Sequence, residues 1–151
     1  MAPDFGDGVG HHDVAIIGAS LRLPGARTLE EFWTNLAQGR SFISELPQRR
    51  RRADGQPPRS VWGGFVADIE CFDAELFGVP PREARMMDPQ QRIALELSWH
   101  AIEDAGYRCD RLAGSRTGVF MGVAHRDYGE LVEEEQDEVD AYYLKIGRAH
   151  V

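Results

Sequence analysis

The sequence is poor in lysine, in cysteine and in long apolar runs. Of its 17 basic residues only Lys145 is a lysine, and all the others are arginines. Its two cysteines, Cys71 and Cys109, are too few for a disulfide framework, so reduced thiols are the simpler interpretation. No apolar run reaches the roughly 18 residues that span a bilayer, and the N-terminus lacks the basic and apolar regions of a signal peptide. We therefore expect a cytoplasmic protein that does not cross a membrane.

The negative charge of the chain is confined to one segment. The 151 residues include 25 acidic ones, and the formal net charge is −8. Eight acidic residues and no basic one lie within residues 127–140: Asp127, Glu130, Glu133, Glu134, Glu135, Asp137, Glu138 and Asp140. The rest of the chain balances 17 acidic against 17 basic residues. This balance argues against a nucleic-acid-binding protein of the usual basic kind.

Two apolar runs predict buried strands. Within Asp13 to Ala19, the run Val14 to Ile17 is short, continuous and rich in β-branched residues, which is typical of a strand buried on both faces. Gly118 to Ala124 has the same character, and its glycines indicate close backbone approach. The intervening segment 41–60 reads as a loop, followed by a short strand at Gly63 to Val66.

Two helices are predicted between these strands. Thr28 and Glu31 form a capping box, and Gly39 is placed to end that first helix in a left-handed cap. Asp88 to Ala105 is the second, with Asp88 as N-cap, Pro89 in the first turn, Gln91 to close a capping box, and apolar residues on more than one face. Shorter helical turns are expected at Phe72 to Phe77 and Arg82 to Met87. The order of elements predicts an α/β protein with a parallel sheet flanked by helices.

No complete catalytic set is visible in the residues themselves. Gly18 to Gly25 follows a predicted strand, but its spacing differs from the G-x-G-x-x-G fingerprint, which favours a structural turn over a nucleotide site. The Arg49 to Arg52 run has no interleaved aromatics and is best interpreted as a solvated loop. Cys71 and Cys109 lie outside any nucleophile elbow. The histidines lack metal-ligand spacing apart from an adjacent pair: His11, His12, His100, His125 and His150. Of these, His100 is expected on a helix surface, and His125 is the better placed for a site because it follows a strand.

An ordered series of motifs resembles the β-ketoacyl synthase domain of modular type I polyketide synthases. The series begins with Val14 to Gly18, Arg22 to Gly25 and Glu31 to Trp33. It continues with F-D-A-E-L-F at residues 72–77, P-R-E-A at 81–84 and M-D-P-Q-Q-R at 87–92. A-I-E-D-A-G at 101–106 and G-S-R-T-G-V-F-M-G at 114–122 complete it. The resemblance covers about residues 13–144.

The resemblance implies a fold and an activity. The family has a thiolase-like fold, in which two similar α/β halves stack into five layers, and the full domain is usually a homodimer. This chain would supply part of the first half only. The family catalyses decarboxylative Claisen condensation of acyl thioesters carried as phosphopantetheine thioesters on an acyl carrier protein. Its nucleophilic cysteine lies in a D-T-A-C-S-S-S segment, with two histidines further on, and this sequence contains none of those segments. The resemblance therefore assigns no catalytic, cofactor-binding or metal-binding residue here, and it implies a chain inactive alone.

The ends of the chain and several alternative functions complete the expectations. Residues 1–12 are interpreted as a flexible leader, and 145–151 as a non-native tail because they match one reading frame of a sequencing adapter.

The expected partners are an acyl carrier protein and adjacent synthase domains. The alternatives are a ketosynthase subunit of an iterative or polyunsaturated-lipid synthase, a non-catalytic ketosynthase-like interaction module, and a nucleotide-binding protein using Gly18 to Gly25.

Overall fold

The computed structural model describes residues 13–48, 61–123 and Tyr128. These residues form helices α1 (Leu29–Ala37), α2 (Pro81–Met86) and α3 (Pro89–Asp104), strands β1 (Ile43–Glu45) and β2 (Trp62–Gly64), and a 3-10 helix at Cys109–Leu112. Four segments discussed above lie outside the described residues: the expected leader at 1–12, the Arg49 to Arg52 loop, most of the acidic segment and the tail at 145–151.

Helix α1 begins and ends where the sequence predicts. The Thr28 hydroxyl accepts a hydrogen bond from the Glu31 amide at 3.2 Å, and the Glu31 carboxylate accepts one from the Thr28 amide, which completes the capping box. Gly39 follows the helix at a φ of 62°, a left-handed conformation that glycine adopts without steric cost. Its amide donates to Leu36, and the next amide donates to Asn35, which is the Schellman pattern. Local chemistry alone thus fixes both ends.

Helix α3 is also confirmed, with one difference at its N-terminus. The Asp88 carboxylate accepts from the Gln90 backbone amide at 2.8 Å, and Pro89 takes the first helical position. The Gln90 side chain contacts the same carboxylate at 3.2 Å, so Gln90 rather than the expected Gln91 accompanies the cap. A second Schellman pattern ends the helix, with the Gly106 and Tyr107 amides donating to carbonyls in its last turn.

The only sheet among the described residues is a two-stranded antiparallel ribbon. Ile43 pairs with Gly64, and Glu45 pairs with Trp62. The loop predicted over 41–60 is therefore wrong at β1, and the strand predicted at Gly63 to Val66 lies instead at Trp62–Gly64. Three-residue strands carry too little periodicity to be recognised, since each exists through its partner rather than through its own pattern.

Two short segments join the ribbon to α3. The Asp73 carboxylate accepts from the Leu76 amide at 3.0 Å, and this bond organises the turn predicted at Phe72 to Phe77. Helix α2 begins at Pro81, whose missing N–H costs nothing at a helix start. The helical turn predicted over Arg82 to Met87 is confirmed within one residue at each end.

The two predicted buried strands are wrong within the described residues. Segment 13–19 and residues 118–123 lie in no sheet, and their large apolar side chains are exposed: Val14 at 91%, Ile16 at 89% and Phe120 at 97%. A parallel strand needs a hydrogen-bonded neighbour and a helix layer on each face, and the described residues supply neither. The apolar composition was recognised correctly, but no sheet among the described residues buries it.

The buried core of the described residues is correspondingly small. Ala26, Met86 and Met87 are its apolar members, and the polar Asn35 is also buried. The apolar side chains predicted to bury α3 between layers, Ile93, Leu95, Leu97, Trp99, Ala101 and Ile102, are half-buried on both faces. No described helix is long and apolar enough to span a membrane.

The exposed apolar segments predict the behaviour of the chain in solution. Since contiguous exposed apolar patches promote association, we expect the purified chain to bind the dye 1-anilinonaphthalene-8-sulfonate, to self-associate and to melt without a sharp transition. Dye fluorescence, size-exclusion chromatography and calorimetry measure these three properties. A monomer with a sharp cooperative melt and no dye binding would contradict the expectation.

Candidate functional site

A five-residue segment, Gly18 to Arg22, crosses helix α3 and is called the strap below. The Ala19 amide donates to the Asp104 carboxylate at 2.9 Å, and the Ser20 hydroxyl donates to the Leu97 carbonyl at 2.6 Å. The Arg22 guanidinium contacts the Glu96 carboxylate at 2.7 Å, with side chains only 21% and 16% exposed. Three contacts of different kinds thus hold the strap along two turns of the helix.

Gly18 lets the strap approach the helix backbone. A Cβ atom at this position would lie 2.3 Å from the Ala101 carbonyl oxygen and 2.8 Å from the Ala105 side chain. No side chain tolerates such distances, so only glycine fits without movement of the strap or the helix. The glycine that begins the candidate phosphate loop is therefore a packing residue.

The position of the strap argues against the nucleotide-binding alternative. Phosphate loops direct free backbone amides at an anion from a helix N-terminus, where the helix dipole is positive. Gly18 and Ala19 instead lie against the last turns of α3, where the dipole is negative. The Asp104 carboxylate already accepts from the Ala19 amide, so an anion there would meet like charge.

The second part of the Gly18 to Gly25 segment, which follows the strap, is a tight turn fixed to α1. Leu23 and Ala26 exchange two backbone hydrogen bonds, at 2.9 and 3.1 Å, around Gly25, whose φ is 73°. The Asn35 amide group donates to the Gly25 carbonyl at 2.8 Å, and the Arg40 guanidinium donates to the Asn35 side-chain oxygen at 3.3 Å. Asn35 is only 9% exposed, so its hydrogen bonds satisfy a polar group that would otherwise be costly to bury.

A cleft of about 240 Å³ lies between this turn, α1 and the ribbon. Asn35 and Arg40 are its polar members, and its apolar lining consists of Leu23, Pro24, Ala26, Phe32, Leu36, Phe42, Ile43 and Gly64. Asn35 and Arg40 are hydrogen-bonded to each other, and the cleft lining among the described residues includes no carboxylate, cysteine or histidine. The cleft offers apolar packing rather than acid–base or nucleophilic chemistry.

The two cysteines do not form a reactive centre. Cys71 is exposed, and Cys109 is half-buried with its sulfur 4.0 Å from the Trp99 carbonyl oxygen. A carbonyl oxygen is an acceptor and cannot stabilise a thiolate. Within the described residues, no cluster of three or more histidine, cysteine or carboxylate side chains is arranged to hold a metal.

His100 is the one histidine that the described residues include. It lies on the exposed side of α3, where its Nδ1 is 3.3 Å from the Glu103 carboxylate, as expected for a helix-surface residue. The other histidine candidates, His11, His12, His125 and His150, lie outside the described residues.

The D-P-Q-Q-R block caps and packs α3. Asp88 caps the helix, and the Arg92 guanidinium reaches the Glu70 carbonyl at 3.5 Å. Nearby, the Phe72 and Phe77 rings stack with centroids 5.4 Å apart, and Phe77 meets Trp99 edge to face at 6.1 Å. These contacts fix the segment before α2 onto α3, so the block acts in capping and packing rather than in chemistry.

These features are helix caps, tight turns and packing contacts rather than an assembled catalytic centre in the described residues. Residues 11–150 match the family described as Beta-ketoacyl synthase, N-terminal domain. The chain belongs to the β-ketoacyl synthase family of condensing enzymes.

Curated relatives of the chain are polyketide synthases. It is 46% identical over 142 residues to the polyketide synthase ThaG of Burkholderia thailandensis, covering 88% of this chain and 2% of that protein. It is 39% identical over 165 residues to the polyketide synthase PksM of Bacillus subtilis, covering 99% of this chain and 4% of that protein. The chain thus spans a small part of these relatives.

Solved ketosynthases share its fold. The ketosynthase from module 6 of the bacillaene synthase of Bacillus subtilis superposes with a TM-score of 0.70 at 41% identity, over 78% of this chain and 21% of that one. An oxazolomycin ketosynthase domain of Streptomyces albus superposes with a TM-score of 0.57 at 36% identity, over 65% and 19%. The fold is therefore part of a thiolase-like α/β half, as the motifs implied.

Sequence reasoning missed the contacts that organise this region. The Arg22–Glu96 ion pair joins residues 74 positions apart, and a single sequence gives no signal for such a pairing. The cleft and the buried Asn35 were missed for the same reason. The Arg-Leu-Pro-Gly turn was recognised, but its docking on α1 depends on tertiary structure.

A side chain at position 18 is expected to loosen the strap. For Gly18→Ala, the clash with the Ala101 carbonyl predicts a cost of about 1–3 kcal/mol, which corresponds to about 5- to 150-fold lower hydrogen-exchange protection in the second half of α3. Exchange measured by mass spectrometry tests this.

Gly122→Ala is the matched control, because nothing lies within 4 Å of a Cβ there. It should leave α3 protection unchanged. Equal protection in both variants would mean that the strap does not pack as described.

Removal of the α3 cap should destabilise the start of that helix. Asp88→Ala is expected to cost about 1 kcal/mol, because the Gln90 amide loses its acceptor, whereas Asp88→Asn keeps an oxygen there and should cost little. Hydrogen exchange of the first turn of α3 is the measurement. If the alanine and asparagine variants behave alike, the capping role of Asp88 is wrong.

Proposed function

We propose that this chain forms the N-terminal scaffold of a polyketide β-ketoacyl synthase and is inactive without the segments that carry the catalytic cysteine and histidines. The superposition on the bacillaene synthase ketosynthase, at a TM-score of 0.70 and 41% identity, is the observation that carries this proposal. At that identity the fold and the general role of a segment are shared.

The proposed reaction of the whole domain is a decarboxylative Claisen condensation. A cysteine thiolate accepts an acyl group from a thioester and releases the carrier thiol. A malonyl-type thioester then loses carbon dioxide, and its enolate attacks the acyl carbonyl to form a carbon–carbon bond. The cysteine leaves as thiolate, so electrons balance without any redox partner.

In this proposal the strap and α3 contribute position rather than chemistry. The strap is fixed at one end of segment 13–17, and that segment presents exposed apolar residues outside any sheet. Residues 118–123 present a second such set. Both are suited to become buried strands once neighbouring strands and helices cover them.

The expected partners follow from the proposed reaction. The substrates are phosphopantetheine thioesters on an acyl carrier protein, and the chain itself binds no cofactor. Adjacent synthase domains and a second ketosynthase copy are the other partners, in the cytoplasm. Within this assignment, residues 13–144 are the ketosynthase part, with a leader before them and a non-native tail after them.

A chimeric ketosynthase tests the proposal. Residues 13–144 of this chain replace the aligned segment of the Bacillus subtilis bacillaene ketosynthase. We expect the chimera to condense acyl and malonyl thioesters within about tenfold of the parent rate, because a scaffold segment should change the barrier by little more than about 1.4 kcal/mol. Mass spectrometry of the carrier-bound β-ketoacyl product is the readout.

Two controls define the outcome. The chain alone should give no product, and the chimera with the parent's own catalytic cysteine replaced should also give none. A chimera that is soluble and dimeric like the parent but inactive would contradict the scaffold proposal and favour a non-catalytic interaction module. Product from the chain alone would contradict its inactivity.

A further inference from the structure

The cleft between the Leu23–Ala26 turn, α1 and the ribbon has the composition of a small-molecule site. Such sites combine an apolar lining with a few well-placed polar groups. Here the lining is apolar apart from Asn35 and Arg40. The volume of about 240 Å³ equals that of roughly eight water-sized groups at about 30 Å³ each, so the cleft suits a small ligand.

Asn35 shapes the cleft, but its hydrogen bonds are already made within the chain. Its amide group donates to the Gly25 carbonyl at 2.8 Å, and its side-chain oxygen accepts from the Arg40 guanidinium at 3.3 Å. Because Asn35 is only 9% exposed, a ligand that broke either bond would leave a buried polar group unsatisfied. Asn35 therefore fixes the turn and orients Arg40 rather than recognising a ligand.

Arg40 retains the capacity to bind an anion. A guanidinium carries five N–H donors, and the contact with the Asn35 oxygen uses Nη1. Arg40 is exposed, and within the described part of the chain no acidic side chain lines the cleft. Carbonyls in the last turn of α1 accept from the Gln38, Gly39 and Arg40 amides, which reduces the negative partial charge that an anion would meet at this helix end.

We propose that the cleft binds a small aliphatic carboxylate, with its hydrocarbon chain against the apolar lining and its carboxylate on the Arg40 guanidinium. The guanidinium matches a carboxylate in geometry, and charge-assisted hydrogen bonds are stronger than neutral ones. A chain of about six to eight carbons fits the volume. The proposal uses residues of this chain alone and does not depend on condensing activity.

Photolabelling of the whole chain tests the proposal. The probe is an octanoate that carries a diazirine on its hydrocarbon chain, and tandem mass spectrometry locates the label. Unmodified octanoate should compete for the site. Segments 13–17 and 118–123 provide an internal comparison, because apolar attraction without a site would label their exposed side chains as well. We expect competable label on residues of the cleft lining: Phe32, Leu36, Phe42 and Ile43.

Two comparisons isolate the contribution of the charge. The primary amide of the same probe is neutral, and we expect it to label the cleft about tenfold less, since a charged hydrogen bond at an exposed guanidinium is partly screened. Arg40→Gln should reduce cleft labelling by the carboxylate by a similar factor. Arg116→Gln is the matched control, because it removes an exposed arginine outside the cleft lining and should leave the labelling unchanged.

Three results would overturn the proposal. They are label confined to the exposed segments, equal cleft labelling by the carboxylate and the amide, and an equal reduction by Arg40→Gln and Arg116→Gln. The amide comparison uses the unaltered chain, so it decides the outcome even if Arg40→Gln disturbs the contact with Asn35.

Discussion

The contact of the strap with α3 is the constraint on which the described structure depends. Gly18 rests on the Ala101 carbonyl, and the next four residues add an amide–carboxylate bond, a hydroxyl–carbonyl bond and a half-buried ion pair. This contact fixes where segment 13–17 ends and where the Leu23–Ala26 turn begins. The Leu23–Ala26 turn is fixed to α1 through Asn35. The strap that crosses α3 therefore links α1 to α3. Loss of the crossing would leave two separately capped helices with little buried surface between them.

Local and long-range determinants separate clearly in this chain. Each end of α1 and α3 is set by a capping residue that bonds only to its near neighbours in sequence. These residues are Thr28 and Gly39 for α1, and Asp88 and Gly106 for α3. These signals were readable because a cap uses atoms that the sequence itself brings together. At the α3 cap the Gln90 side chain, rather than that of Gln91, contacts the Asp88 carboxylate, a choice that composition cannot decide.

The strands show the opposite dependence. Val14 to Ile17 and Gly118 to Val123 have strand composition, yet they remain exposed in the described structure. Their burial requires partners on both sides, and the chain spans 21% of the bacillaene ketosynthase on which it superposes. The apolar pattern therefore identified strand-like composition, but burial within the described residues did not follow from it. The sequence prediction missed β1 and shifted β2 for a related reason. Each of these short strands is defined by hydrogen bonding to its partner rather than by its own sequence pattern.

In the candidate site, too, local features could be predicted from the sequence and long-range contacts could not. Sequence reasoning disfavoured a nucleotide loop on spacing, and the strap supplies a physical reason: the Ala19 amide meets a carboxylate near a helix C-terminus. The pairs that hold the region, Arg22 with Glu96 and Asn35 with Gly25, join elements that only folding brings together. A family resemblance can assign this chain to a family of enzymes. It cannot assign a catalytic role unless the chain itself contains the catalytic residues. Here the described residues stabilise turns and helix contacts, and the scaffold role proposed above rests on these contacts.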